Sequence, residues 1–245
     1  MSLDDDPLAR KLAAFVALSS EERMMLQRLQ GPRTVVGSGK ELVHEGQHRH
    51  SAYVLNSGWA CSYKRLRDGQ RQIIDIQIAG DFVGVRSLLL RTSDQSVVTL
   101  TDVEVRRINT ERLSEIFRSA PRLALALLWA ISRDGAMVVE HLVSLGKRDA
   151  MMRTVHFLLE LGARAELVGL GTSEGYGCPI SQNILADALG ITPIHLNRVL
   201  RQLRQSKLLV FKDGLVTFID RRRMIELFDM DFAYLDQDAT SLRLG

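Results

Sequence analysis

The sequence predicts an α+β chain in which a small antiparallel β domain precedes a long helix and then helices closed by a β-hairpin. Three observations lead there. From Thr34 to Ile108 short β-rich runs alternate with turn signals. From Thr110 to Lys147 the apolar positions fall at helical spacing. From Ser181 to Ile219 two capped helices are followed by two apolar runs around Asp213-Gly214.

Residues 8 to 30 open the chain with helical periodicity, and Ser19-Ser20-Glu21-Glu22 is a helix-start signal. The β region is punctuated by Gly37-Ser38-Gly39, Glu45-Gly46, Asn56-Ser57-Gly58, Asp68-Gly69 and Gly80-Asp81. Such intervals suit an all-β sandwich or barrel. Between them lie Ala52 to Leu55, Gln72 to Ile78, Ser96 to Leu100 and Val103 to Ile108, all strand-like. Asp68-Gly69 reads as a hairpin turn.

In the long helix, Leu128, Ile131, Gly135, Val138, Leu142 and Leu145 are spaced alternately by three and four. That spacing makes a coiled-coil seam rather than the wider stripe of a buried helix. We read it as a homodimer seam in preference to intrachain packing, with Gly135 admitting a close partner backbone. Beyond it, Met151 to Arg164 reads as a helix and the glycine-rich stretch Gly169 to Gly177 as a loop.

Composition narrows the function classes. The chain has 245 residues, 46% hydrophobic and 25% charged, which is globular composition with room for more than one domain. The longest apolar stretch, Leu123 to Ile131, is too short to span a bilayer. Asp4, Asp5 and Asp6 carry the wrong charge for a secretory signal, so a soluble cytoplasmic protein is expected. Cys61 and Cys178 are too few for a disulfide framework, a four-cysteine zinc site or an iron–sulfur cluster. There is no P-loop, nucleophile elbow or metal-binding helix motif, so no enzyme is predicted. The net charge is only +3, but eight Lys/Arg face two Asp between Arg198 and Arg223. A basic stretch confined to one short region suits phosphate contact.

The segment that bears this charge begins with Ser181, a helix cap, followed by Leu185 and Leu189 on one face and Gly190 at the exit. Thr192-Pro193 starts the next helix, with Leu196, Val199, Leu200 and Leu203 inward. Ile194, His195, Arg198, Arg201, Gln202 and Gln205 lie on its other face. This is a helix-turn-helix, and the Leu208 to Ile219 hairpin stands where a wing belongs. Double-stranded DNA is the expected partner. A helix that enters the major groove reads bases from its first turns, which assigns Ile194, His195 and Arg198 to base readout. Ser181, Thr192, Arg201, Arg204, Lys207 and Lys212 are assigned to the DNA backbone. The rival reading is a ligand-binding or protein-interaction module whose winged domain does not bind DNA.

With these segments in order, the chain resembles the Crp/Fnr family of transcription regulators over nearly its whole length. Leu42 to Gly46, Tyr53 to Gly58, Asp68-Gly69 and Gly80 to Gly84 are similar to that family's cyclic-nucleotide-type β-roll. The resemblance implies N-terminal helices and an antiparallel β jelly roll over 1–109, a dimerisation helix over 110–147, a winged domain over 148–235 and a tail over 236–245. It also implies a homodimer on a near-palindromic site, contact with RNA polymerase, and an effector pocket at Gly84, Val85, Arg86 and Gln95. In cyclic-nucleotide binders of this fold a glutamate holds the ribose and an arginine the phosphate. Val85 and Gln95 stand at those positions, so cyclic AMP in the usual mode is not expected. No cofactor is predicted and the effector is unnamed. Haem ligation by His44, His48, His50 and Cys61 stays open beside the plainer reading of turn and surface residues. Cys61 reads equally as a small core residue or a reactive thiol.

Overall fold

The computed structural model describes residues 6–48 and 51–235. The described residues divide into two compact units, one comprising 6–48, 51–62 and 76–135, the other 63–75 and 136–235.

The first unit opens with helices α1 (Pro7–Ala13) and α2 (Ser20–Leu29). The start signal at Ser19 is a capping box, its hydroxyl accepting from the Glu22 amide while Glu22 accepts from the Ser19 amide. Such a cap stabilises a helix by about 1 kcal/mol. Strands β1 (Gln30–Val36), β2 (Glu41–Val43), β3 (Tyr53–Ser57), β4 (Ala60–Arg65), β5 (Arg71–Gln77), β6 (Phe82–Val83), β7 (Ser96–Thr99) and β8 (Val103–Ile108) follow. They form two four-stranded sheets, ordered β1-β8-β3-β6 and β2-β7-β4-β5, with residues 63–75 of β4 and β5 belonging to the second unit. Alternation along β3 explains how one strand serves two cores. Val54 joins the helical cluster of Leu8, Leu12, Leu26, Leu29, Ile116 and Leu123, whereas Leu55 joins Val43, Ala60, Val97, Val103 and Val105 between the sheets. Each fully buried leucine contributes roughly 1.5–3 kcal/mol.

Lys11 is buried in this unit between Asp81, at 2.8 Å, and Asp134, at 2.9 Å. Burial works against its charge, but the two carboxylates outweigh it and hold its pKa above the ordinary value.

The long helical stretch from Thr110 is not one helix. It breaks at Ala120 into α3 (Thr110–Ser119) and α4 (Pro121–Lys147). Pro121 lacks an amide and pushes the residue before it out of the helical region, and Ala120 sits at φ −137°, ψ 68°.

In the second unit, α5 (Ala150–Leu167) runs three residues beyond the predicted end at Arg164. The predicted loop Gly169 to Gly177 instead contains strands β9 (Gly171–Thr172) and β10 (Gly175–Gly177). Gly175 lets the backbone of Val216 approach where a Cβ would collide, so a glycine that reads as loop serves pairing. Helices α6 (Gln182–Leu189) and α7 (Pro193–Gln205) follow, then strands β11 (Leu209–Lys212) and β12 (Leu215–Phe218). The sheet order is β11-β12-β10-β9. A further helix α8 (Arg221–Leu227), capped by Asp220, follows the hairpin within the expected span of the winged domain. Leu158, Leu185, Leu189, Leu196, Val199, Leu203, Leu209 and Val216 are buried. Among the described residues, no helix is long and apolar enough to cross a membrane.

Candidate nucleic-acid interface

The helix-turn-helix is built by short-range chemistry. Ser181 Oγ accepts from the Ile184 amide at 3.3 Å and starts α6. Gly190 ends it in the left-handed region, at φ 62°, with its amide returning to Ala186 and Asp187. Thr192 Oγ1 accepts from the His195 amide at 3.2 Å, and Pro193 takes the first helical position of α7. The four inward residues of α7, Leu196, Val199, Leu200 and Leu203, are all buried.

With that face fixed, the opposite one is presented outward. Ile194 is 84% exposed and takes no part in the core. His195 is half-buried, and Arg198, Arg201, Arg204 and Lys207 are exposed. None of these four cations has a carboxylate partner among the described residues. Lys212 lies 3.7 Å from Asp213, both side chains being mostly in solvent. Asp213 and Gly214 both have positive φ, 52° and 72°, which defines a two-residue hairpin turn of the primed type.

Two clefts adjoin these residues. One of about 210 Å³ is lined by Gln182, Asn197, Leu200, Arg201, Arg204 and Phe211. Another of about 420 Å³ lies between Cys178–Gln182 and Phe211–Gly214. The first, with two arginines and two amides, suits a phosphate group. Gln182 and Asn197 were not singled out from the sequence. Gln182 directly follows the α6 cap, where unbonded amides collect, and that signal was available.

Helix α5 packs against α6 and α7 and carries a buried polar network. Glu160 Oε1 accepts from His141 Nε2 at 2.8 Å, and Oε2 accepts from the Tyr234 hydroxyl at 2.6 Å. His156 Nε2 donates to the Tyr234 oxygen at 3.1 Å. His141 Nδ1 faces the Ile74 carbonyl at 3.3 Å, so both its ring nitrogens meet acceptors and the imidazolium is the form that satisfies them. Burial opposes that charge, but Glu160 raises the His141 pKa to about 9. For Glu160, burial acts upward and is outweighed by His141 and Arg164, which hold it at about 2. Burial keeps His156 neutral, lowering it to about 4.

At the expected effector pocket, Gly84 caps the short turn Val85–Ser87 at φ 72°. Val85 packs on the helical cluster. Arg86 reaches Asp94 at 4.0 Å near the surface, whereas Gln95 is buried with no hydrogen-bond partner for Oε1 among the described residues. Cys61 is fully buried while His44 and His48 are exposed, His44 beside Glu41 at 3.0 Å. His50 and the 236–245 tail lie outside the described residues. Along the expected seam, Leu128 and Leu142 are exposed and Ile131, Gly135, Val138 and Leu145 are half-buried.

Comparison with known proteins agrees with this architecture. Residues 33–120 match the cyclic nucleotide-binding domain, and residues 152–227 match the Crp-like helix-turn-helix domain. The nitrogen fixation regulation protein FixK of Bradyrhizobium diazoefficiens is 27% identical over 220 residues, 89% of this chain and 91% of the relative. The fumarate and nitrate reduction regulatory protein of Vibrio cholerae is 24% identical over 210 residues, 86% of this chain and 84% of the relative. The solved structure of FixK2 from Bradyrhizobium japonicum superposes with a TM-score of 0.71 at 25% identity, covering 80% of this chain and 96% of that one. A β-roll domain followed by a winged helix-turn-helix, matched in sequence and in structure, places this chain in the Crp/Fnr family of DNA-binding transcription regulators.

Proposed function

We propose that the chain works as a homodimer that binds a near-palindromic DNA site through α7 and regulates transcription in contact with RNA polymerase, the partner that the family implies. The observation that carries this reading is the outer face of α7. A large apolar residue, Ile194, stands beside Arg198, and Arg198, Arg201, Arg204 and Lys207 have no carboxylate partner among the described residues. Ile194 fits against a thymine methyl, and Arg198 fits the two acceptors of a guanine. Arg201, Arg204, Lys207 and Lys212, with Ser181 and Thr192, set the register on phosphates. The exposed Leu128 and Leu142 on α4 supply the seam by which two copies present two such helices about one DNA turn apart.

The signal that this regulator reads is not cyclic AMP held in the usual manner. At the pocket Val85 offers no acceptor to a ribose, Gln95 offers no charge to a phosphate, and Arg86 is drawn to Asp94. The residues fit a neutral or weakly polar effector better than an anionic nucleotide.

Binding to a duplex selected from a random pool, measured across salt concentration, tests the reading. The logarithm of affinity falls with that of salt by roughly 0.9 for each phosphate neutralised. Arg198→Ala is expected to abolish preference for the selected duplex and to leave weak, salt-sensitive binding. Equal binding of parent and variant to selected and scrambled duplexes sinks the base-readout assignment. Absence of any salt-dependent binding favours the module that does not bind DNA.

A further inference from the structure

The second unit contains a basic element that the helix-turn-helix does not include. Residues 63–75, the turn of the β4–β5 hairpin with the end of β4 and most of β5, fall in the same compact unit as α6 and α7. Within Tyr63 to Arg71 stand Lys64, Arg65, Arg67 and Arg71 against one acid, Asp68. The turn is closed, with the Leu66 amide donating to the Gln70 carbonyl at 2.7 Å and Gly69 at φ 84°. Asp68 is engaged inside it, accepting from the Gln70 amide at 3.0 Å.

The start of β5, next to the turn, is tied to α6. Arg71 Nε meets Asp187 at 3.0 Å, and Gln72 Nε2 donates to the Asp187 carbonyl at 3.3 Å. Asp75 lies 3.4 Å from Arg164. Helix α6 is about 12 Å long, so these ties hold the hairpin within one short helix of Ser181, the proposed phosphate contact.

Some exposed arginines elsewhere have carboxylates beside them, as Arg33 has Glu104, Arg112 has Glu115 and Arg222 has Glu226. Arg65 and Arg67 are exposed and have no such partner among the described residues, the condition also met by Arg198, Arg201 and Arg204 on α7. Two unneutralised arginines on a closed turn, anchored to the first helix of the DNA-binding motif, present positive charge at fixed distance from it.

We propose that the tip of the β4–β5 hairpin is a second DNA-backbone contact, in which Arg65 and Arg67 neutralise phosphates of the duplex flanking the half-site that α7 reads. This rests on the DNA-binding reading above and adds a contact that carries no base specificity. It makes affinity depend on how far the duplex extends beyond the half-sites.

The test uses the full-length protein and two duplexes that share one selected site, one ending at the half-sites and one with about one helical turn of flank on each side. The parent is expected to bind the long duplex more tightly and with a steeper salt slope. Arg65→Ala/Arg67→Ala is expected to bind the short duplex as the parent does and to lose on the order of tenfold on the long one, through loss of phosphate contacts. Arg65→Lys/Arg67→Lys, which keeps the charge, is expected to retain most of that advantage. Equal long-duplex affinity and slope in parent and alanine variant overturns the proposal. So does unchanged DNA binding with a fall in transcription by purified RNA polymerase, which would make the hairpin a protein contact. A parent that binds neither duplex overturns the DNA reading itself and is thereby told apart from failure of the hairpin alone.

Discussion

Glu160 shows how much one buried side chain can fix. Its two oxygens take a proton donor each, His141 and Tyr234, and Arg164 lies 3.9 Å away. The two histidines of this network respond to pH in opposite senses. His141 is raised to about 9, above its unfolded value, so its contribution is fully present below an unfolded pKa of about 6.5 and is lost as pH rises through 9. His156 is lowered to about 4, so the unfolded chain binds the proton first and stability falls as pH drops from about 6.5 through 4. Glu160, depressed to about 2, adds stability above an unfolded pKa of about 4.3 that is lost as pH falls through 2. Together they place the network's best pH near 6.5. His141→Gln is expected to lower the melting temperature at pH 6.5 and to flatten the fall between 7 and 9.5, so that parent and variant converge on the alkaline side. A thermal melt series reads this directly, and a gap that stays constant to pH 9.5 excludes a charged His141.

At the scale of the element, the turn between α6 and α7 is where sequence and structure meet most closely. Gly190 combines positive φ with crowding, since an added Cβ would lie 3.0 Å from Leu145 Cδ2. Gly190→Ala is expected to destabilise the second unit by about 1–2 kcal/mol through that strain. It is also expected to weaken DNA binding, because α7 is aimed from this turn. Urea unfolding and duplex titration measure the two effects separately, and a variant as stable as the parent contradicts the turn's role. Caps and this turn were legible in sequence because each depends on residues within four positions of one another. The same is true of the wing, where Asp213-Gly214 alone sets the geometry. What was not legible depends on distant partners. Asp68-Gly69 reads as a hairpin turn and stands in one, in a connection that spans Leu66 to Gln70, but nothing local says that Arg71 will meet Asp187. Likewise Glu160 reads as one more charge on a helix until His141 and Tyr234 are folded beside it. The strands at Gly171 and Gly175 were hidden for a related reason, since glycines that admit a neighbouring backbone look in sequence like glycines of a loop.

At the scale of the molecule, the apolar face of α4 decides whether one recognition helix or two meet the DNA. Leu142 is 70% exposed and Val139 58% exposed, with Leu128 and Val143 also open to solvent. Leaving several large apolar side chains on one helix in water forfeits roughly 1.5–3 kcal/mol for each that a partner would bury fully. A second copy of the same helix is the partner whose spacing matches, because the exposed residues include two of the six seam positions and the other four are only half-buried. In the proposed homodimer the second half-site would bind at the high local concentration set by the first, converting two weak encounters into one strong one. Leu142→Arg places a charge in that seam while touching neither α7 nor the wing. It is expected to shift the protein to monomer in sedimentation, to reduce affinity for a full site by on the order of a hundredfold or more, and to leave affinity for an isolated half-site unchanged. The half-site measurement separates lost assembly from misfolding, because a misfolded winged domain loses both. A variant that remains dimeric, or a monomer that binds the full site as the parent does, removes α4 from the assembly and with it the reason for a near-palindromic site.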